Sequence, residues 1–177
     1  MQAPEDFRSS ILQQLDQLGI SYECHSHTPV YSMDDCVAQP FMAEDIVFAK
    51  NLLLETPTKD RRVLLLMAPF KPFKTSVVSK LLGTSRLSFA SPATMMRDMF
   101  TRPGALSPLG LLAEPANGIM LALDAEIMTY NRIAMHPCRN DETLVMPMLD
   151  FLSVLIPALR CPYVAIKIPD PEQDTSL

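Results

Sequence analysis

The chain carries no Gly-rich signature for holding phosphates. There is no GxxxxGK[ST] and no GxGxxG, which removes the common nucleotide-cradling loops. A GxSxG nucleophile elbow is also missing, and no carboxylate pair declares itself for acid–base work. The four cysteines, Cys24, Cys36, Cys138 and Cys161, show no CxxC and no framework spacing. They read as reduced, partly buried thiols of a cytosolic protein. Excess positive charge is lacking too. With 15 Lys and Arg against 20 Asp and Glu, the net charge is -5. This argues against nonspecific coating of a duplex, but not against a partner that offers a single nucleic-acid end to a pocket. No apolar run approaches the ~20 residues of a membrane span. The N-terminus has no signal-peptide core, so a cytoplasmic protein is expected.

What the chain does hold is apolar bulk. Of its 177 residues, 48% are hydrophobic, enough for one domain with a real core. Residues 1–170 are expected to form that domain, and 171–177 a solvated tail. The first element reads as a helix: Pro4 suits its first turn, Glu5 and Asp6 its positive end, and Gly19 its stop. Phe7, Ile11, Leu12, Leu15 and Leu18 share one face of it. ISYECH reads as a short strand, and Pro29 turns the chain. DIVFAKNLLLE, residues 45 to 55, reads as one β-strand. A polar connection, TPTKDRR, leads to a second buried strand, VLLLMAP, which pairs with it. Val77, Val78, Leu81 and Leu82 form a helix face ended by Gly83. Ser91 and Pro92 open a further helix with Met95, Met96 and Met99 turned inward. GIMLALDAEI and ETLVMP read as strands around YNRIAMHPCRN. MLDFLSVLIPAL reads as a last helix, bent or ended near Pro157, and YVAIKI as a final strand. Strands outnumber helices without regular alternation, so the fold class is mixed α+β, with no repeat and no linker.

Three features fit this plan badly. Lys50 and Asn51 stand inside an apolar strand, where an unsatisfied amide costs roughly 2–7 kcal/mol and an unpaired charge more. Either Lys50 snorkels from a strand edge and Asn51 satisfies backbone in a bulge, or both face a cleft that only looks like core in the sequence. GALSP, from Gly104 to Pro108, is by default a turn. His136, before Pro137, is by default a satisfied structural side chain. Cys24, His25 and His27 crowd together in YECHSH. Strand neighbours point to opposite faces, however, and no second ligand cluster follows, so no metal site is expected.

Taken together and in this order, these residues resemble the YbaK/ProX family of aminoacyl-tRNA deacylases. These are free-standing relatives of the editing insertion of bacterial prolyl-tRNA synthetase, and the chain is most similar to the prolyl-tRNA editing branch. LDQLGISYECHSHTPVYSMDD is similar to the family's opening helix, strand and H-x-P-V turn. AKNLLLE matches its KNLFL strand, and LGTSRLSFASP matches a regular segment before the active-site loop. PGALSPLGLL matches its GxxxP motif, and MHPCRND its F-H-P-x-x-N signature. The similarity runs from about Ile11 to the last strand. Met135 departs from it, since an aromatic usually precedes the histidine. So do Cys138, where an aliphatic is common, the approach MAEDIVFA and the connection PFKPFKTS.

The resemblance implies a single-domain editing fold, α+β, with a mixed and mostly antiparallel sheet forming a partial barrel surrounded by helices. It implies hydrolysis of the ester that joins a wrong amino acid to the 3′ end of tRNA, with water as nucleophile and no metal, ATP or organic cofactor. Alanine on tRNA(Pro) is the first expectation; serine, threonine or cysteine esters are the alternatives. Lys50 and the loop of Gly104, Ala105, Leu106, Ser107 and Pro108 are the implied catalytic set. Lys50 would attract the terminal phosphate or ribose, and N–H groups from Ala105 to Ser107 would face the developing oxyanion. Asn51, Met135 and His136 are implied to bind substrate, with His136 not acting as general base. The partner is the aminoacylated tRNA acceptor end, with prolyl-tRNA synthetase or an elongation factor as a means of targeting and no membrane. Arg61, Arg62, Lys71, Lys74 and Lys80 either meet the acceptor stem or are solvated surface charges. A noncatalytic tRNA-end-binding or regulatory module with the same fold is the alternative function.

Overall fold

The apolar run from Ile46 to Leu54 is not one strand. It divides at Ala49 between two sheets, which corrects the single-strand expectation. The computed structural model describes residues 4–116 and 118–170, with backbone alone at Pro4, Glu5, Asp6 and Pro115. The tail expected at 171–177 lies outside the described residues. In chain order the elements begin with α1 (Pro4–Gln17), β1 (Glu23–Ser26), α2 (Met33–Val37), β2 (Ile46–Phe48), β3 (Lys50–Glu55) and β4 (Arg62–Met67). They continue through α3 (Thr75–Leu81), β5 (Ser88–Phe89), α4 (Pro92–Met99), β6 (Ile119–Asp124), β7 (Arg132–Met135) and β8 (Glu142–Pro147). The last helix runs as α5 (Met148–Asp150), a π-helical turn (Phe151–Leu155) and α6 (Ile156–Ala158), ending beside Pro157 as expected. β9 (Tyr163–Ile166) follows. RIAM, inside the segment expected to connect two strands, is itself the strand β7.

One sheet has the order β1-β8-β7-β2 and the other β5-β3-β4-β6-β9. Both are mixed. β2 lies parallel to β7, and β6 runs parallel to both β4 and β9. The remaining pairings, including the expected β3–β4 pair, are antiparallel. The α+β class stands, and no closed barrel forms among the described residues.

Period-two alternation explains how both sheets come to be covered on two sides. In the five-stranded sheet, Leu53, Leu64, Leu66, Leu121 and Leu123 face the main core with Phe7, Ile11 and Leu15 of α1. Leu54, Val63, Leu65 and Met67 face a smaller core with Val78 of α3 and Leu87. In the four-stranded sheet, Val47, Ile133, Met135, Leu144 and Met146 join the main core. Ile46, Phe48, Ala134 and Val145 form a third cluster under α2. Met95 and Met99 of α4 are in the main core as expected, while Met96 is only half-buried. On α3, Leu81 is exposed and Ser79 takes a buried place. Ser79 is satisfied there by donating to the Thr75 carbonyl and accepting from Leu87 N–H.

The basic set near the lysine strand is not one surface. Lys71 is only 9% exposed, and its Nζ donates to Asp124 Oδ2 (3.0 Å) and to the Ile168 carbonyl (3.1 Å). Burial pulls its pKa down, but the carboxylates of Glu126 and Asp124 outweigh this and raise it. Arg62 lies 3.3 Å from Asp98 and 3.9 Å from Glu55. Lys71→Met strands a fully buried Asp124, so it should cost about 3–5 kcal/mol in urea unfolding. Lys80→Ala, on the exposed face of α3, should stay within about 0.5 kcal/mol of wild type.

Candidate active site

Where the chain leaves one sheet for the other, the Ala49 carbonyl drops out of the ladders. Asn51 reaches back and donates its Nδ2 to it at 2.9 Å. That leaves Asn51 Oδ1 buried and without a partner. Lys50 is the first residue of β3, and its Nζ donates to the Lys71 carbonyl at 3.0 Å. Burial lowers the Lys50 pKa. The carbonyl it meets belongs to a turn closed by Lys71 N–H to Ala68 O (3.3 Å) and pinned by the Lys71–Asp124 pair. Lys50 and Asn51 line one cleft although they are neighbours in β3, because Lys50 stands at the strand's start and the Asn51 amide turns back toward Ala49.

The Gly–Pro loop is built around a type II turn. Ala105 N–H donates to Arg102 O at 3.0 Å, Pro103 holds the second position, and Gly104 takes the third at φ +84°. A residue other than glycine would be strained there although a Cβ would meet nothing within 4 Å. Thr101 Oγ1 then donates to the Ala105 carbonyl at 2.9 Å. This corrects one expectation: the Ala105 N–H is committed to the turn and cannot face a substrate carbonyl. Ser107 and Pro108 are buried, with Ser107 Oγ accepting from Leu109 N–H to start a 3-10 turn (Pro108–Leu112). That turn packs tightly on α4, since a Cβ at Gly110 would come within 2.8 Å of Met99 Cε. Among the described residues, no partner in the protein accepts from Leu106 or Ser107 N–H.

His136 follows β7 and is 3% exposed. Its Nδ1 lies 2.8 Å from the Glu142 carbonyl, an acceptor, so the proton sits on Nδ1. Nε2 is then an unprotonated acceptor, and it has no partner. Burial is the chief cause that lowers its pKa to about 4, so the ring is neutral at pH 7. Met135, expected beside substrate, is instead 1% exposed in the main core. Alternation along β7 turns it away from His136.

These pieces meet in one pocket of about 160 Å³, lined by Lys50, Asn51, Gly104, Leu106 and His136, with Val30, Tyr31, Cys36 and Phe48 among the other walls. Of the residues expected at the site, Ala105, Ser107, Pro108 and Met135 do not line it. Asn140 was missed as a site residue although it ends the HPCRN motif. Its Nδ2 donates to the Val30 carbonyl (2.9 Å), and its own carbonyl accepts from Val30 N–H (2.9 Å), which ties one wall to the histidine turn.

The family model of the aminoacyl-tRNA editing domain matches residues 27–154. The chain belongs to that family. The prolyl-tRNA editing protein ProX of Acetoanaerobium sticklandii is 24% identical over 150 residues, 85% of this chain and 91% of that one. The prolyl-tRNA synthetase associated domain-containing protein 1 of Danio rerio is 26% identical over 165 residues, 92% of this chain and 88% of the relative. A crystal structure of a candidate trans-editing enzyme for prolyl-tRNA synthetase superposes with a TM-score of 0.68 at 14% identity, over 92% of this chain and 98% of that one. The expected editing family, its fold and its class of enzyme, an aminoacyl-tRNA hydrolase, therefore stand.

A histidine at about 4 in the fold and 6.5 when free makes stability depend on pH. Between those values the unfolded chain binds the proton and the folded chain does not. Its contribution is therefore complete above pH 6.5 and is lost as pH falls toward 4, by about 3 kcal/mol in all. Chemical unfolding at pH 7 and pH 5 should show about 2 kcal/mol of this loss, and His136→Gln should shrink it.

Proposed function

We propose that the protein is a trans-editing deacylase that hydrolyses the ester of mischarged tRNA, with alanine on tRNA(Pro) as first substrate. The observation that carries this is the pocket itself: it is small, and two of its lining residues hold buried, unpaired acceptors, Asn51 Oδ1 and His136 Nε2. Acceptors without donors suit a ligand that brings hydrogens, such as the α-ammonium of an aminoacyl group. At about 160 Å³ the pocket is well below the ≈ 300–1,000 Å³ of sites for drug-sized ligands. It favours a short side chain and excludes bulky ones by size. Rejecting glycine or serine by size is harder, and serine-, threonine- and cysteine-charged tRNA stay as test substrates.

Lys50 supplies a cation whose partner is a neutral carbonyl, so its charge is available to a phosphate or to the ribose end. Water attacks the ester carbonyl, and the developing oxyanion needs aimed donors. The N–H of Leu106, which lines the pocket, serves in this reading, in place of Ala105. The carbon–oxygen bond to the ribose then breaks, and the ribose oxygen takes the proton. His136 is too weak a base for this step, so the substrate's own terminal hydroxyl and a bound water carry the proton. Residues 1–170 act as one domain in the cytoplasm. Its acidic balance fits a grip on the tRNA end alone, or targeting through prolyl-tRNA synthetase or an elongation factor.

Deacylation of alanyl-tRNA(Pro), with seryl-, threonyl-, cysteinyl- and prolyl-tRNA in parallel, tests this reading. Loss of alanine should be fast, and Lys50→Ala should slow it on the order of 100-fold at unchanged thermal stability. A folded wild type that hydrolyses none of them would leave a noncatalytic end-binding module as the better description.

A further inference from the structure

On the proposed reading the small pocket holds the aminoacyl group, so the nucleoside that carries the ester lies at its mouth. Tyr31 stands there. It lines the pocket and yet is 80% exposed, more than any other large hydrophobic side chain among the described residues. Its backbone is held from both sides. Val30 is bonded through both its N–H and its carbonyl to Asn140. Tyr31 N–H donates to Asp35 Oδ2 (3.3 Å), Ser32 N–H to the same oxygen (3.1 Å), and Asp35 N–H returns to Ser32 Oγ (3.1 Å). Tyr31 therefore occupies the position just before the N-cap of α2. An apolar side chain at that position often packs down on the fourth helical residue, here the buried Cys36. Tyr31 instead leaves its ring in water, at the rim of a site, on backbone that is already fixed.

We propose that Tyr31 is a stacking platform for the nucleobase of the 3′-terminal nucleotide, setting the ribose ester over the pocket. The proposal rests on the deacylase reading for the ester, but not for the base. Stacking on an aromatic side chain is tolerant of base identity, because every base has a π-face. A tyrosine has few torsions to immobilise. The platform therefore contributes affinity for a single-stranded end, while the buried acceptors distinguish the amino acid.

The test uses a short single-stranded oligoribonucleotide with 2-aminopurine as its 3′-terminal base, whose fluorescence falls on stacking. The wild type should quench it. Tyr31→Ala should lose the quench and weaken binding on the order of tenfold, Tyr31→Phe should keep both, and Tyr163→Ala, an exposed tyrosine on β9, should change neither. With aminoacyl-tRNA, Tyr31→Ala should raise KM by a similar factor and leave kcat in place, the mark of lost uniform binding. Quenching that is absent in the wild type, or equal in Tyr31→Ala, overturns the platform whatever the hydrolysis assay shows. Tyr31-dependent quenching by a wild type that hydrolyses no aminoacyl-tRNA supports the platform and rejects the deacylase reading.

Discussion

One backbone carbonyl, that of Ala49, sets the geometry on which the site depends. A strand that passes from one sheet to another must give up a ladder bond at the crossing, and a buried carbonyl must find a donor. Asn51 provides it from two residues along. That choice fixes which end of the amide is spent and which is left, so the free Oδ1 is a consequence of the crossover as much as of substrate. Lys50, one residue nearer the break, swings to the Lys71 carbonyl. The sheet junction therefore creates both the cleft and the polar groups that furnish it.

The protein tolerates this arrangement at a cost. A buried acceptor left unpaired is worth about 1–3 kcal/mol against the fold, and the pocket residues hold two. The surrounding structure is correspondingly constrained. Asp45 grips Arg132 with both carboxylate oxygens (2.9 and 3.0 Å) where β2 meets β7, and Asn140 clamps Val30. Lys71 fixes the turn that presents its carbonyl to Lys50. Cys138, two residues beyond His136, accepts a left-handed backbone at φ +60°. The two unsatisfied acceptors thus sit on a braced frame, where local rearrangement cannot easily supply them with donors.

Much of this was legible in the chain before its fold was known, and the misses have physical causes. Lys50 and Asn51 announced themselves because they interrupt apolar bulk. The break at Ala49 did not, because both halves of the run are buried on two faces and nothing in their spacing marks the change of sheet. Met135 and His136 are adjacent, so only knowledge of which face of β7 meets the cleft separates core from site. In the sequence Lys71 reads equally as an acceptor-stem contact or a solvated surface charge, since its partners lie 53 and 97 residues away, beyond any local pattern. The family resemblance marks the GALSP loop as functional, but its turn type decides which amide is used up, and that turn begins at Arg102, before the motif.

The neutral state of His136 and the amide oxygen of Asn51 have a consequence for what the protein leaves alone. On the proposed reading, two acceptors greet an ammonium. A peptidyl-tRNA offers at that place an amide nitrogen with a single hydrogen and no charge, and the chain attached to it has no room in a pocket of about 160 Å³. One acceptor would stay unpaired and the nascent chain would have to point outward. On that reading the same pocket that admits a short aminoacyl ester spares peptidyl-tRNA.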